Sequence, residues 1–283
     1  MYDFLLSINW NVSPFIFETS VYSLRWYTLL FALGFYIAYK LGLKMYALDG
    51  VAEEKMDKLM VYIFVGTVFG ARIGHCVFYE WSYYKDHIAE IILPFRTTVN
   101  GVKFTGYQGL ASHGGAIGIL LAMLIYTKKV SKTSIWWGLD RVVVPTALVG
   151  AMIRLGNLFN SEIYGIQTSL PWGMVFERND ETVTKHPTQI YESLCYLLSF
   201  FILAHLFWKT DKRKDEGYIT GLFFILIFTA RFFIEFIKEN QETFEANMAL
   251  NMGQWLSIPF ILLGIYLIFT STKRPSSLKT SKK

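Results

Sequence analysis

The sequence is poor in charge, and that shortage narrows the class of protein. Charged residues make up 17% of the 283 residues, whereas hydrophobic residues make up 53%. Soluble domains carry about 25% charged residues. Several apolar runs approach the roughly 20 residues that are needed to cross a bilayer. These features argue against a soluble domain, and we expect an integral membrane protein.

The sequence also has few cysteines. Cys76 and Cys195 are the only two, and each lies in an apolar segment. No CxxC pair and no Cys/His ligand spacing occurs, so redox and metal chemistry have little support. We therefore expect no metal and no cofactor. The N-terminus also lacks a basic region followed by a small-residue cleavage site, so we expect no removable signal peptide.

Apolar runs predict seven membrane helices and no repeat of fixed period. Sixteen of the 27 basic residues fall in one set of connecting segments and six in the other, while five lie in or beside the apolar runs. The positive-inside rule then places the N-terminus outside and the C-terminus in the cytoplasm. This distribution also argues against nucleic acid as a partner. The predicted spans are about 25–44, 57–79, 109–127, 136–157, 188–208, 217–237 and 254–272.

The predicted fold class is an all-α integral membrane protein, with residues 1–283 forming one polytopic domain. Residues 1–24 are rich in aromatic residues, which favour the headgroup level, and suggest an interfacial amphipathic segment. Two outer segments, about 80–108 and 158–187, are longer than ordinary connections and suggest a small outer loop region. Asn100-Gly101 between short extended runs suggests a hairpin.

Small residues recur every four positions in the first two spans. Gly34, Ala38 and Gly42 share one face of the first span, and Gly66, Gly70 and Gly74 share one face of the second. Such faces let helix backbones approach closely in lipid. Close helix packing is the simpler reading for these glycines, and direct substrate contact is the alternative.

Polar residues at the outer ends of the second and third spans allow two readings each. Arg72, His75 and Tyr79 share a helical face, where they would reach the headgroups or line a site. His113 follows Ser112 and precedes two glycines, which would let a helix or a lipid headgroup come close to it. A neutral histidine can accept a proton at pH 7, but His113 could equally bond a neighbouring helix.

The most informative stretch runs from Arg154 to Gly165 at the end of the fourth span. Arg154, Asn157 and Ser161 fall at helical spacing and would share one face if the helix continued through them. A charged side chain within hydrocarbon costs roughly 2.5–3.5 kcal/mol. A guanidinium fork, an amide and a hydroxyl together suit a phosphate or an anionic transition state. Glu162 and Gly165 would lie just beyond the helix.

The remaining spans contribute further charges at the same predicted depth. Gln189 and Glu192 open the fifth span, and Glu192 is a candidate partner for an intramembrane arginine. Arg231 and Glu235 in the sixth span are four residues apart, which permits an ion pair. Asp140 and Arg141, at the inner end of the fourth span, would pair with each other or with headgroups. Polar groups from five helices at one depth predict a shared cavity, namely His75, His113, Arg154, Asn157, Glu162, Glu192, Arg231 and Glu235.

Five blocks of the sequence together resemble the prolipoprotein diacylglyceryl transferase family. They are Gly70–Gly74, Ser112–Gly115, Arg154–Gly165, His186–Glu192 and Arg231–Phe236. The blocks occur in the order found in that family and extend over most of the chain. The block from Arg154 to Gly165 is the most specific of them, whereas the Gly70–Gly74 block alone would be weak.

The resemblance implies a multi-pass enzyme of the bacterial inner membrane, with the outer loops on the periplasmic side. The family moves the diacylglyceryl group of phosphatidylglycerol onto the thiol of the lipobox cysteine of a preprolipoprotein. A thioether forms and glycerol 1-phosphate leaves. The implied partners are phosphatidylglycerol, the lipobox peptide and membrane lipid. Neither cysteine of this chain is needed, because the reacting thiol arrives on the peptide.

The resemblance also implies which residues act. Positions matched to activity are His113, Arg154, Asn157, Gly165, Arg231 and Tyr27. Residues expected to bind substrate are Arg72, Arg154, Asn157, Asn160, Glu162, Gly165, Gln189, Glu192 and Glu235.

The expected chemistry assigns roles to these residues. The thiolate is the nucleophile, and the leaving phosphate needs stabilisation as charge shifts onto it. Arg154 and Arg231 would clamp the phosphate, and Asn157 would hydrogen-bond to it. Glu162 and Glu235 would orient the arginines. His113 would act as the general base or bind the headgroup.

A transporter or channel for an anionic solute is the competing hypothesis, because it would also gather arginines within a bundle. Such a protein is expected to show discontinuous helices in related halves. The sequence shows no such halves, and its polar groups collect on one side.

Overall fold

A computed structural model describes residues 8–20, 22–98, 101–104, 106, 109–240, 245, 248–274 and 276–280. Seven helices within these residues are long and apolar enough to cross a membrane, and each overlaps one predicted span. The prediction of an all-α membrane protein with seven spans is therefore confirmed. The helices are α1 Trp26–Leu48, α2 Glu53–Phe78, α3 Trp81–Tyr84, α4 Ala89–Ile92, α5 Ser112–Tyr126, α6 Ile135–Phe159, α7 Thr188–Lys209, α8 Tyr218–Ile234 and α9 Met252–Ser271, of which only α3 and α4 are too short to span.

The chain groups into two compact units. The first contains the described residues of Met1–Gly42 and Leu139–Ser276, and the second contains those of Leu43–Gly138 and Ser277–Lys283. Most of α6 and all of α7, α8 and α9 belong to the first unit. Helices α2 to α5 belong to the second unit.

Glycines bring α2 and α5 together in the second unit. A Cβ atom added to Gly74 would lie 2.7 Å from Cα of Gly114, and one added to Gly70 would lie 2.7 Å from Cα of Gly118. Real side chains cannot approach so closely, so glycine is required for this packing. The simpler reading of the second-span glycines, close helix packing, is confirmed.

Short strands lie outside the long helices. Strand β1 Ile8–Trp10 pairs in parallel with β6 Met174–Phe176, and β2 Phe15–Glu18 pairs antiparallel with β3 Ser23–Arg25. The described part of the N-terminal segment is therefore extended. The expected hairpin is present as β4 Phe95–Thr98 and β5 Gly101–Phe104, while its turn residues 99 and 100 lie outside the described residues.

A small apolar core supports the loop between α6 and α7. Phe176 is fully buried beside Leu158 and Met174. Trp10 packs against this core, and its indole N–H donates to the carbonyl of Leu158 at 3.0 Å. The N-terminal strand is thereby joined to the end of α6, where the most informative sequence block begins.

Asp140 binds the first turn of α8. The sequence had suggested Arg141 or lipid headgroups as its partner. Its Oδ2 accepts from the backbone N–H of Gly217 at 2.7 Å, and its Oδ1 accepts from Thr220 N at 2.8 Å and from Thr220 Oγ1 at 2.7 Å. Asp140 is fully buried. The carboxylate therefore supplies the missing acceptor at the start of α8, whose own preceding residue is a glycine.

We expect Asp140→Ala to lower the free energy of unfolding by about 3 kcal/mol, because it leaves buried donors at the start of α8 unsatisfied. The measurement is thermal and chemical unfolding in detergent. Asp211→Ala is the matched control, since Asp211 has 87% of its side chain exposed and pairs with Lys214 three residues away. Equal unfolding midpoints for Asp140→Ala and the wild type would contradict the capping role.

Candidate functional site

The loop after α6 has an unusual backbone. Helix α6 ends at Phe159, and Ser161 and Ile163 then adopt φ angles of 54° and 62°. Ser161 therefore does not share the helical face of Arg154 and Asn157. A left-handed conformation is uncommon for a β-branched residue, and holding it costs on the order of 1–3 kcal/mol. Strain of this kind persists only where neighbouring contacts enforce it.

The first turn of α7 provides those contacts. Gln189 Nε2 donates to the carbonyl of Glu162 at 2.8 Å, and Thr188 Oγ1 donates to the carbonyl of Ile163 at 2.9 Å. Gly165 N donates to the carbonyl of His186 at 2.8 Å. Gln189, predicted to bind substrate, thus holds the loop that carries Glu162.

The Glu162 carboxylate faces back towards α6. Its Oε1 accepts from Asn157 Nδ2 at 2.7 Å and from Asn160 Nδ2 at 3.1 Å. The Nη1 of Arg154 lies 3.5 Å from Asn157 Oδ1, a weak contact. Glu162 therefore acts on Arg154 through Asn157. The described contacts do not include the direct orientation that the sequence suggested.

Arg154 forms an ion pair with Glu192 of α7. Arg154 Nε lies 2.9 Å from Glu192 Oε2, and Lys238 Nζ lies 2.9 Å from Glu192 Oε1. The same Nζ lies 2.9 Å from Glu235 Oε1, and Arg231 Nε lies 3.5 Å from that oxygen. The five side chains form one continuous chain of charges, which we call the ion network: Arg154, Glu192, Lys238, Glu235 and Arg231.

The ion network is largely buried, but its two ends are not. The side chains of Glu192 and Lys238 are 0% and 1% exposed, whereas those of Arg154 and Arg231 are 16% and 35% exposed. Glu235 is fixed further by Asn251 Nδ2, which donates to its Oε2 at 3.0 Å. The middle of the network is therefore sealed from water, and the arginines form its accessible ends.

Lys238 was missed as a site residue, although a signal for it existed. It lies seven residues after Arg231 and three after Glu235, so a helical projection places all three together. The predicted sixth span ends at residue 237, so Lys238 falls just outside it and was expected in the following connecting segment. Its backbone forms an antiparallel bridge with Gly165, and Ile166 N donates to the carbonyl of Ile237 at 2.9 Å.

Gly165 lies where no side chain fits. An added Cβ would lie 2.6 Å from His186 Cβ and 2.8 Å from Thr188 Cγ2, and would also collide with the carbonyl oxygen of Ile237. The loop after α6, the start of α7 and the segment that carries Lys238 therefore meet at this glycine.

Tyr27 lies against the last part of α6. A Cβ added to Gly156 would lie 2.7 Å from Tyr27 Cδ2 and 3.1 Å from its Cα. The two helices approach closely there, two residues from Arg154. The structure thus brings together Tyr27, Arg154, Asn157, Asn160, Glu162, Gly165, Gln189, Glu192, Arg231 and Glu235 within the first unit.

His113 belongs to the second unit. It is exposed at the start of α5, and its side chain has no hydrogen bond to another described side chain or backbone group. The glycine after it, Gly114, packs against Gly70 and Gly74 of α2. The alternative of a bond to a neighbouring helix finds no support among the described contacts, and catalysis by His113 stays a prediction.

Arg72 is buried in the second unit and holds a connecting segment. Its Nη2 donates to the carbonyl of Glu90 at 2.7 Å and to the hydroxyl of Tyr84 at 3.1 Å, and its Nε donates to the carbonyl of Ile91 at 3.3 Å. These contacts give Arg72 a structural role in holding the connecting segment. They do not support the substrate contact that the sequence suggested.

A second cluster of charged side chains links the loop between α6 and α7 to the segment after α8. Lys185 pairs with Glu239 and, at 3.3 Å, with Glu181, which accepts from the hydroxyl of Tyr164 at 2.9 Å. Burial acts to lower the pKa of Lys185, but the two carboxylates outweigh it and raise the pKa. Burial raises the pKa of Tyr164 and lowers that of His186. Lys185 therefore stays charged and keeps the loop beside Lys238.

Three polar atoms near Glu162 are buried without a hydrogen-bond partner among the described residues. They are Asn160 Oδ1, Ser161 Oγ and Gln189 Oε1. Buried polar groups normally find partners, so these atoms suit a ligand that carries hydroxyl donors. Among the residues that the structure describes, no three His, Cys, Asp or Glu side chains are grouped so that they could bind a metal ion.

The sequence is similar to proteins of one family. The family model described as prolipoprotein diacylglyceryl transferase matches residues 14–270. The chain is 44% identical to a protein of Bacteroides fragilis over 277 residues, which cover 98% of this chain and 99% of the relative. It is 45% identical to a protein of Porphyromonas gingivalis, covering 97% and 98% of the two chains. Both relatives are named phosphatidylglycerol–prolipoprotein diacylglyceryl transferase. This chain belongs to the prolipoprotein diacylglyceryl transferase family.

Proposed function

We propose that this protein transfers the diacylglyceryl group of phosphatidylglycerol to the lipobox cysteine of a preprolipoprotein. The sulfur forms a bond to a glycerol carbon of the lipid, and the carbon–oxygen bond to the phosphate breaks. The electron pair of that bond leaves with glycerol 1-phosphate, and the thiol proton passes to a base. The ion network, which holds two arginines at its accessible ends, is the observation that carries the proposal.

The arginines suit the leaving group. A phosphodiester carries a single negative charge, and charge builds up on the leaving oxygen as the bond breaks. Arginine keeps its charge and offers a planar fork of donors that fits phosphate. Donors that are fixed in advance stabilise such charge without reorganisation. We assign phosphate binding to Arg154 and Arg231, with Glu192 and Glu235 holding them in place.

The polar atoms after α6 suit the glycerol headgroup. Asn160 Oδ1, Ser161 Oγ and Gln189 Oε1 offer unused acceptors beside Glu162. The headgroup of phosphatidylglycerol carries hydroxyl donors that these atoms would accept. A lipid without such hydroxyls would leave them unpaired, which is costly in a buried site.

We place the protein in the bacterial inner membrane, with the N-terminus and the ion network on the periplasmic side. The basic residues concentrated in the opposite loops and in the C-terminal tail support this orientation. A preprolipoprotein presents its cysteine beside the outer leaflet, where phosphatidylglycerol is also available. Both substrates would therefore reach the same side of the protein.

The deciding experiment uses the purified full-length protein, labelled phosphatidylglycerol and a lipobox peptide. We expect the label to become attached to the peptide thiol through a bond that resists reduction. The same peptide with serine in place of cysteine is the control and should remain unlabelled. Solute flux in liposomes without any peptide labelling would instead support the anion transporter.

We expect His113→Gln to reduce turnover by about 100-fold or more with little change in the KM for phosphatidylglycerol, because general bases contribute factors of 10²–10⁴. Steady-state kinetics of peptide labelling measures this. His205→Gln is the matched control, since His205 is exposed on α7 and lies away from the site. Near-normal turnover combined with weaker lipid binding would assign His113 to the headgroup and refute its role as base.

A further inference from the structure

The centre of the ion network is a lysine. Lys238 Nζ lies 2.9 Å from one oxygen of Glu192 and 2.9 Å from one oxygen of Glu235. The lysine side chain is 1% exposed, so water does not compensate its charge. Its backbone position is fixed by the bridge to Gly165 and by the bond from Glu239 N to the carbonyl of Tyr164 at 3.3 Å.

We propose that Lys238 is a positioning residue that keeps Arg154 and Arg231 available for the substrate phosphate. This inference rests on the proposed function, because it concerns how the two arginines are held. Lys238 touches neither reacting atom in the scheme above. It acts through Glu192 and Glu235, each of which faces one arginine.

The charges of the ion network support this role. Three cations face two carboxylates, which leaves one unit of positive charge for one phosphodiester. Without Lys238 the network would be neutral, and binding an anion would leave a buried site with excess negative charge. Uncompensated buried charge is strongly unfavourable.

The distances show how Lys238 leaves donors of the two arginines available for the substrate. Glu235 Oε1 bonds Lys238 at 2.9 Å, whereas Arg231 Nε stays 3.5 Å from that oxygen, beyond a good hydrogen bond. Glu192 divides its two oxygens between Lys238 and Arg154. If the lysine were absent, both carboxylates would turn more fully to the arginines and draw their donors away from the substrate.

The test measures kcat and KM for phosphatidylglycerol with full-length variants in detergent micelles. We expect Lys238→Met to lower kcat/KM by roughly 10- to 100-fold, because a displacement of about 1 Å in a positioned group can cost up to about 100-fold. Lys238→Arg should recover most of the loss, because it restores the charge. Both variants are first checked for folding by their thermal midpoints.

A double variant separates charge balance from stability. Glu192→Gln combined with Lys238→Met removes one charge of each sign, so the remaining two arginines and one carboxylate again leave one positive charge. We expect it to be more active than Lys238→Met alone. It also avoids an unpaired buried carboxylate, so it serves as the test if the single variant fails to fold.

The outcomes distinguish this inference from the proposed function. If the wild type transfers no label to the peptide, the proposed function fails. If the wild type is active and Arg154→Gln is not, while Lys238→Met keeps wild-type kcat/KM, only the role of Lys238 is overturned. A double variant no more active than Lys238→Met, or a Lys238→Arg variant as inactive as Lys238→Met, would also overturn it.

Discussion

Arg154→Gln is expected to reduce transfer of the diacylglyceryl group by roughly 10²–10³-fold, the loss typical when one donor to a developing anion is removed. Glutamine is polar but has no charge to offer the leaving phosphate. It also removes one of the two cations that compensate the fully buried Glu192. Both effects act on the step in which charge moves onto the phosphate. The loss should therefore appear in kcat as well as in KM.

Two further arginine variants sharpen this test. Arg154→Lys keeps the charge but loses the planar fork, so its activity should lie between that of the wild type and that of Arg154→Gln. Arg178→Gln is the control, because Arg178 is exposed in the turn after β6 and joins no part of the ion network. Wild-type turnover in a folded Arg154→Gln variant would remove Arg154 from the mechanism.

The helices and the polar blocks could be predicted from sequence because their signals are local. Apolar runs of sufficient length predicted all seven spans, with differences of a few residues at their ends. The four-residue spacing of Arg231 and Glu235 predicted a pair that the structure contains. The four-residue spacing of Gly70 and Gly74 likewise predicted close helix packing, although the partner helix, α5, is known only from the structure.

Other features could not be predicted because their partners are distant in sequence or lie in the backbone. Glu192 was expected to pair with an intramembrane arginine, which is confirmed, but no spacing rule could say that the partner would be Arg154 of α6. Two of the acceptors of Arg72 are backbone carbonyls, which carry no residue-specific signal. Ser161 and Ile163 have positive φ angles without the glycines that usually announce them. Tertiary contacts from α7 impose that conformation, so only the folded chain reveals it.

The contrast between Glu162 and Lys238 shows what a family pattern leaves open. The expected chemistry assigned Glu162 to orienting the arginines, whereas in the structure its carboxylate accepts from Asn157 and Asn160. Lys238 lay outside the recognised blocks, yet it occupies the centre of the ion network. The family blocks include Glu162 but not Lys238, and only the structure shows which charged side chains contact each other.

Gly165→Ala is expected to lower transfer activity by about 100-fold, a loss that a displacement of about 1 Å at a site can cause. The added Cβ would meet Thr188, His186 and the carbonyl of Ile237 at distances that no real side chain tolerates. The nearest of these atoms is the carbonyl oxygen of Ile237, so the added methyl group pushes on the backbone directly before Lys238. Overpacking of this kind costs roughly 1–3 kcal/mol of stability, so most of the protein should still fold.

Gly34→Ala is the matched control, because a Cβ at Gly34 meets first the flexible Sδ of Met152, at 3.2 Å. We expect that variant to keep near wild-type activity in the same labelling assay. If Gly165→Ala acts by moving Lys238, it should add little further loss in a Lys238→Met background, since coupled residues are not additive. Losses that multiply would show that Gly165 acts elsewhere, through the strained loop that carries Glu162. A fully active Gly165→Ala variant would mean that the backbone around this glycine yields without disturbing the ion network.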